Sequence, residues 1–195
     1  MSLTTTRRAE TAAPILDVLA ERWSTRAFAG SPAVDEAAIA SMLESARWSP
    51  SANNSQPWRF VVARRGSSAF DTIVEHLVGF NRDWAQHAPL LVAGLIEPVG
   101  ADGRPRALAL HDLGQAMAHL SVQAHAEGLL VHQMAGLDAA GLHTALGLDA
   151  GLQLVTVSAV GALGDADALP EALRERERAP RTRLERAELV VLDGR

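Results

Sequence analysis

The sequence predicts one layered domain of the α+β or α/β class. Segments with apolar residues at helical spacing alternate along the chain with short strand-like runs. One of those runs, residues 90–96, is apolar throughout and suits a strand buried on both faces. The 195 residues, 48% of them hydrophobic, suffice for a single core, so residues 1–195 read as one domain without repeat or low-complexity linker.

Each element has a local reason. Residues 1–12 are small and polar and read as a loose N-terminal arm. Ile15, Leu16, Val18 and Leu19 open a short helix that runs to about Trp23. Asp35 caps a second helix, in which Ile39, Met42, Leu43 and Ala46 fall at helical spacing and which must stop at Pro50. Residues 58–63, rich in Phe and Val, read as a strand. Phe70, Ile73, Val74, Leu77 and Val78 then line one side of a helix over 70–78. The apolar run at 90–96 leads into a turn-rich loop over 100–105 and a long Ala-rich helix over 106–127, ended by Gly128. A strand over 129–134, a helix over 139–146 capped by Asp138 and a last core strand over 152–160 follow. Pro170 opens a charged helix that ends at Arg178. An apolar tail over 187–192 belongs to a C-terminal arm, 187–195.

Composition excludes several functions. The chain has no cysteine, so disulfides, thiolate metal sites, iron–sulfur clusters and a cysteine nucleophile are all absent. It has no lysine either, which removes Schiff-base chemistry and a P-loop lysine. A net charge of −5 argues against a general nucleic-acid binder. No apolar stretch reaches the roughly 20 residues that a membrane helix needs. The stretch after Arg7 and Arg8 is broken by Glu10, Pro14 and Asp17, so it is no signal peptide, and the reading is a soluble cytoplasmic protein. No G-x-G-x-x-G follows a strand, and no H-E-x-x-H or G-x-S-x-G occurs. Five histidines between His111 and His143 lack the i, i+4 spacing of a helical metal site, so no metal is expected.

Four segments carry information. Arg22-Trp23-Ser24-Thr25-Arg26-Ala27-Phe28 sets two guanidiniums around a hydroxyl, a pattern that suits phosphate oxygens. Arginines completing a helix C-terminus give the same letters. Ser49-Pro50-Ser51-Ala52-Asn53-Asn54-Ser55-Gln56-Pro57-Trp58 is rich in amide and hydroxyl donors that suit a heteroaromatic ring, or else a capped turn. Gly79-Phe80-Asn81-Arg82-Asp83-Trp84 sets an amide beside aromatics, or joins two helices with Asn81 as cap. Arg181-Thr182-Arg183 alone is ordinary surface charge.

Taken in order, these segments resemble the nitroreductase family of flavin-dependent oxidoreductases. Arg22-x-Ser24-x-Arg26-x-Phe28 is similar to the family's N-terminal motif, and residues 49–58 to its polar S-P-S-x-x-N-x-Q-P-W loop. Asp112 through Gly128-Leu129 resembles the central helix, Met134-Ala135-Gly136 the turn against the flavin, and Arg181-x-Arg183 the C-terminal basic pair. The resemblance spans nearly the whole chain after residue 15.

The resemblance implies a three-layer α+β fold with a mixed, mostly antiparallel sheet flanked by helices and a C-terminal extension. It also implies a homodimer holding FMN at its interface. Arg22, Ser24, Arg181 and Arg183 would bind the phosphate, with Trp23 counted among the cofactor-binding residues. Arg26 would face the N1 and O2 edge of the ring, where a cation favours the reduced form. Pro50, Ser51, Ala52 and Asn54 would reach the flavin from the partner subunit. Asn81 would bond the pyrimidine edge, and the backbone at Met134, Ala135 and Gly136 would lie against N5. NADH or NADPH would reduce the flavin in a ping-pong reaction, and a small acceptor such as a nitroaromatic or quinone would reoxidise it. No side chain need act as acid or base, so none is assigned as catalytic. Two departures stand out: Ala135 replaces a Glu of many members, and Trp84 stands near a Lys of others, where its indole would line the substrate pocket. The tail at 187–192 would cross to the partner. A flavin-binding, flavin-sequestering or flavin-modifying protein of the same fold remains an alternative.

Overall fold

The computed structural model describes residues 7–194. Residues 1–6 of the expected N-terminal arm and residue 195 of the C-terminal arm lie outside the described residues. The elements are α1 (Asp17–Glu21), α2 (Glu36–Arg47), β1 (Trp58–Arg64), α3 (Ser68–Glu75), α4 (Asn81–Ala85), β2 (Leu90–Ile96), α5 (Ala109–Ala126), β3 (Leu130–Met134), α6 (Ala139–Ala145), β4 (Gln153–Gly161), α7 (Glu171–Arg178) and α8 (Arg186–Leu189). The four strands form one sheet in the order β1-β2-β4-β3, and every pairing is antiparallel. The fold is therefore α+β rather than α/β.

The sheet is the middle of three layers. Along β2, Leu90, Val92 and Ile96 join the cluster that includes Ile39 and Met42 of α2 and Leu113, Met117 and Leu120 of α5. Leu91, Ala93 and Leu95 point the other way, into a cluster with Phe70 and Ile73 of α3, Trp84 of α4, Leu142 of α6 and Leu173 of α7. Alternation of side chains across a strand explains the split. It also explains why the sequence of β2 shows no polar face: both of its faces are interior. Within β2, Gly94 stands at a close approach, where a Cβ would meet Thr156 Oγ1 at 3.1 Å and Leu113 at 3.5 Å.

Local chemistry sets the ends. Asp35 and Asp138 accept backbone N–H bonds at the starts of α2 and α6. Gly128, at φ +78°, leaves α5 in the left-handed region that glycine adopts freely. Three details differ from the sequence reading. The helix expected over 70–78, α3, stops at Glu75, and the turn that follows hydrogen-bonds Val78 N–H to the Gly136 carbonyl. A separate helix, α4, starts at Asn81, with Phe80 rather than Asn81 at the capping position. At the C-terminus, residues 186–189 form one helical turn closed by a Glu185–Glu188 capping box. No helix among the described residues is long and apolar enough to cross a membrane.

Candidate functional site

The site begins with the chain leaving α1. Arg22 takes an extended conformation at φ −66° and ψ 141°. From there burial alternates: Trp23 and Thr25 are buried, Ser24 is exposed, and Arg22 and Arg26 lie between. Glu177 of α7 is the reason. Its carboxylate, 5% exposed, accepts from Trp23 Nε1 at 2.9 Å, Thr25 Oγ1 at 2.8 Å and the Arg26 backbone N–H at 2.9 Å. Anchoring the odd-numbered side chains leaves Arg22, Ser24 and Arg26 to turn outward. Trp23, counted above among the cofactor-binding residues, is thereby spent on the anchor: its ring is buried under the Arg7 guanidinium, 5.7 Å from the centroid.

Four guanidiniums gather at the start of this segment. Arg181 donates to the carbonyls of Arg7 and Ala20, both at 2.7 Å, which ties the segment after α7 to the chain before α1. Arg7 also donates to the Ala179 carbonyl at 2.7 Å. The described part of the N-terminal arm is thus pinned at Arg7. Burial, then the charge of Arg183, makes protonation of Arg22 less favourable than usual. Burial, then Arg183, Arg22 and Arg7, does the same to Arg181. Among the described residues, neither Arg22 nor Arg183 forms an ion pair with a carboxylate. Arg7 lies 3.9 Å from Glu177, and the other three guanidiniums, held together without a carboxylate ion pair, suit an anion.

Arg26 lies at the other end of the segment, roughly 13 Å along an extended backbone. Its guanidinium sits 6.0 Å from the Trp84 ring centroid. Trp84 is stacked on Phe28 at 6.1 Å and tilted against His132 at 4.4 Å. The indole is 1% exposed, so it belongs to the core and does not line an open pocket in the chain, contrary to the sequence expectation. His132 Nδ1 donates to the Thr25 carbonyl at 2.8 Å, and burial pushes the imidazole pKa down to about 4.

Asn81 begins α4 and donates from Nδ2 to the Gly136 carbonyl at 3.2 Å. A Cβ on Gly136 would come within 2.6 Å of that nitrogen, so glycine is what allows the approach. The turn at Ala135 and Gly136, just past β3, therefore meets Asn81. Arg26, Asn81 and Gly136 are linked through α4, which carries both Asn81 and Trp84.

The polar loop lies elsewhere. Asn53, Asn54 and Gln56 have φ of 52°, 54° and 44°. Three left-handed non-glycine residues in four are more than a capped turn needs, and backbone strain of this kind collects at binding sites. The loop is held by the buried Asp112, whose two oxygens accept from the Ala52 N–H at 3.3 and 3.2 Å. Ser49 is held by His119 Nδ1 at 2.8 Å, and Gln115 Nε2 reaches the Pro50 carbonyl at 3.5 Å. Behind the loop a cleft of about 660 Å³ extends past Ala52 and Asn53 to Arg104 and Arg106.

The long helix α5 separates the two halves. Asp112 near its start holds the loop, while His125 near its end lies 3.7 Å from Glu21, next to Arg22. Thirteen residues of helix put these contacts roughly 20 Å apart. Within one chain, Pro50, Ser51, Ala52 and Asn54 do not join Arg22, Ser24, Arg181 and Arg183.

Glu177 was missed in the sequence because α7 reads as a solvated run of Arg and Glu. The available signal was its place four residues after Leu173, which puts a carboxylate on the apolar face of that helix.

A model of the nitroreductase family matches residues 19–83. A Mycolicibacterium smegmatis protein, described only as an uncharacterized 15.4 kDa protein in the ask 5′ region, is 35% identical over 144 residues, which are 70% of this chain and 96% of that protein. A solved structure described as an oxidoreductase containing FMN is 34% identical, covers 99% of this chain and 98% of its own, and superposes with a TM-score of 0.89. A Desulfovibrio desulfuricans protein solved in complex with FMN shares the fold at 24% identity and a TM-score of 0.76, over 94% of this chain and 98% of that one. The chain belongs to the nitroreductase family.

Proposed function

We propose that this protein is an FMN-dependent oxidoreductase that takes reducing equivalents from NADH or NADPH and delivers them to a small acceptor such as a nitroaromatic or a quinone. The observation that carries this reading is the unpaired arginine cluster set one extended segment away from a polar edge. Arg22, Arg181 and Arg183 suit the phosphate of FMN, and Arg26, Asn81 and the Gly136 turn suit its ring. The relative described as an oxidoreductase containing FMN supports the same cofactor. A structural neighbour from Sphigopyxis sp. strain HMH, 18% identical with a TM-score of 0.72, is described as an FMN and NADPH-dependent nitroreductase. At that identity it supports the fold, and the donor here stays open between NADH and NADPH.

Bound FMN would supply the two-electron chemistry. The residues of this chain position it. Arg22, Ser24, Arg181 and Arg183 neutralise and fix the phosphate end. Arg26 would offer a positive charge to the ring, which favours its reduced form. Asn81 and the backbone at Ala135 and Gly136 orient the polar edge. Glu177 and His132 hold this frame.

The separation of the polar loop from the arginine cluster supports a homodimer in which the partner's copy of the loop completes each site. Exposed Val190, Val191 and Leu192 after α8 suit an arm that packs on that partner.

The test is the visible spectrum of the purified protein, before and after anaerobic addition of NADH and of NADPH. A flavin spectrum that bleaches with one donor is the expected result, and it also chooses the donor. A flavin spectrum that neither donor bleaches supports the sequestering alternative. Protein that stays colourless and binds no added FMN overturns the proposal.

A further inference from the structure

Helix α7 carries arginines at 174, 176 and 178, and two of them are paired. Arg178 reaches Asp167 at 2.6 Å and Arg174 reaches the same carboxylate at 3.8 Å. Arg176 forms no ion pair or hydrogen bond among the described residues. Its guanidinium carbon instead lies 5.9 Å from the centroid of the Phe80 ring. Phe80 is 64% exposed and immediately precedes Asn81. On its other side Arg176 stands near enough to Arg26 for the two like charges to oppose each other. An open aromatic ring is therefore flanked by one guanidinium without a carboxylate ion pair, that of Arg176, next in sequence to Asn81.

We propose that Phe80 and Arg176 form a recognition point for a planar ring that carries an anionic group. This rests on the flavin oxidoreductase reading and names the class of molecule that site would take. The ring packs on the exposed face of Phe80. The anion meets Arg176 and displaces no existing ion pair. Two sources share this chemistry: an acceptor such as a nitroaromatic carboxylate, and the nicotinamide nucleotide donor with its phosphates. Phe80 takes the place that the sequence suggests for Trp84, which lies four residues on and turns inward to the core.

The experiment uses the FMN-loaded protein and the variant Arg176→Gln, with Arg178→Gln as the control on a paired arginine. Steady-state rates are measured for 4-nitrobenzoate against neutral 4-nitrobenzyl alcohol, and for the chosen dinucleotide against neutral dihydronicotinamide riboside. Binding of 4-nitrobenzoate and of the oxidised dinucleotide to the oxidised protein is measured by calorimetry. In Arg176→Gln, KM and Kd for one charged partner are expected to rise about tenfold, with kcat and both neutral partners unchanged. A rise confined to nitrobenzoate assigns the point to the acceptor, and one confined to the dinucleotide assigns it to the donor. Equal effects on charged and neutral partners, or none on any, overturn the proposal. Failure of the wild-type protein to hold FMN or to oxidise either donor removes the underlying reading as well, and it shows in the wild type before any variant is made.

Discussion

Glu177 holds three donors on one carboxylate, and that makes it the residue on which the arginine frame depends. Replacing it with Ala leaves Trp23 Nε1, Thr25 Oγ1 and the Arg26 N–H without their acceptor in a buried setting. A loss of roughly 3 kcal/mol in denaturant unfolding is expected, together with weaker FMN retention. Glu177→Gln, which keeps one acceptor oxygen, should recover part of both. Unchanged stability in the Ala variant would show that the anchor is dispensable. His132 supplies a pH signature. It is neutral in the fold: burial lowers its pKa to about 4, opposed by the Thr25 carbonyl and Glu177 and assisted by Arg26. The unfolded imidazole titrates near 6.5. The unfolded chain therefore binds the extra proton first as pH falls, and this contribution is present above pH 6.5 and lost between there and about pH 4. Its size is on the order of 3 kcal/mol. His132→Gln should flatten that part of the stability profile, and an unchanged slope would exclude His132 as its source. These single residues were the least legible in the sequence. Trp84 reads as a pocket wall in the sequence, because nothing local says which way the first turn after Gly79 faces. Glu177 sits in a charge run whose other members are solvated.

At the scale of elements, sequence pattern served well wherever an element packs by periodicity. The bounds of β2 match the apolar run residue for residue, and α2 and α6 start at the Asp caps read from the sequence. It served less well where a short helix is fixed by tertiary contacts. α4 has no side-chain cap, and the Asn81 amide that reads as its cap is instead drawn to the Gly136 carbonyl. The polar loop was legible in composition but not in strain, since only coordinates show three left-handed residues. Asp112 is the handle on that loop. Asp112→Ala should free the Ala52 N–H and raise the FMN Kd by about tenfold while the secondary structure persists. Unchanged FMN affinity would mean the loop acts independently of Asp112. The C-terminal segment gives another test at this scale. Deleting residues after Arg186 should shift the monomer–dimer equilibrium toward monomer in sedimentation experiments, and an unchanged dimer would leave the tail without that role.

At the scale of the molecule, the order of motifs along the chain is legible while their assembly in space is not. The N-terminal segment is tied to the C-terminal arginines through Arg7, Ala20 and Glu177, and the 134–136 turn is tied to Asn81, whereas the 50–54 loop stays roughly 20 Å from Arg22 along α5. No periodicity in a single sequence records that a site is divided. The central claim is therefore that two copies of this chain share each FMN. The most direct measurement mixes two variants that each fail to retain FMN. One carries Arg22→Ala and Arg183→Ala, and the other carries Asn54→Ala and Asp112→Ala. After subunit exchange, half of the dimers are mixed and each of those has one intact site, so flavin content should return to about a quarter of the wild-type value. No recovery, with subunit exchange verified independently, would contradict a site divided between two copies.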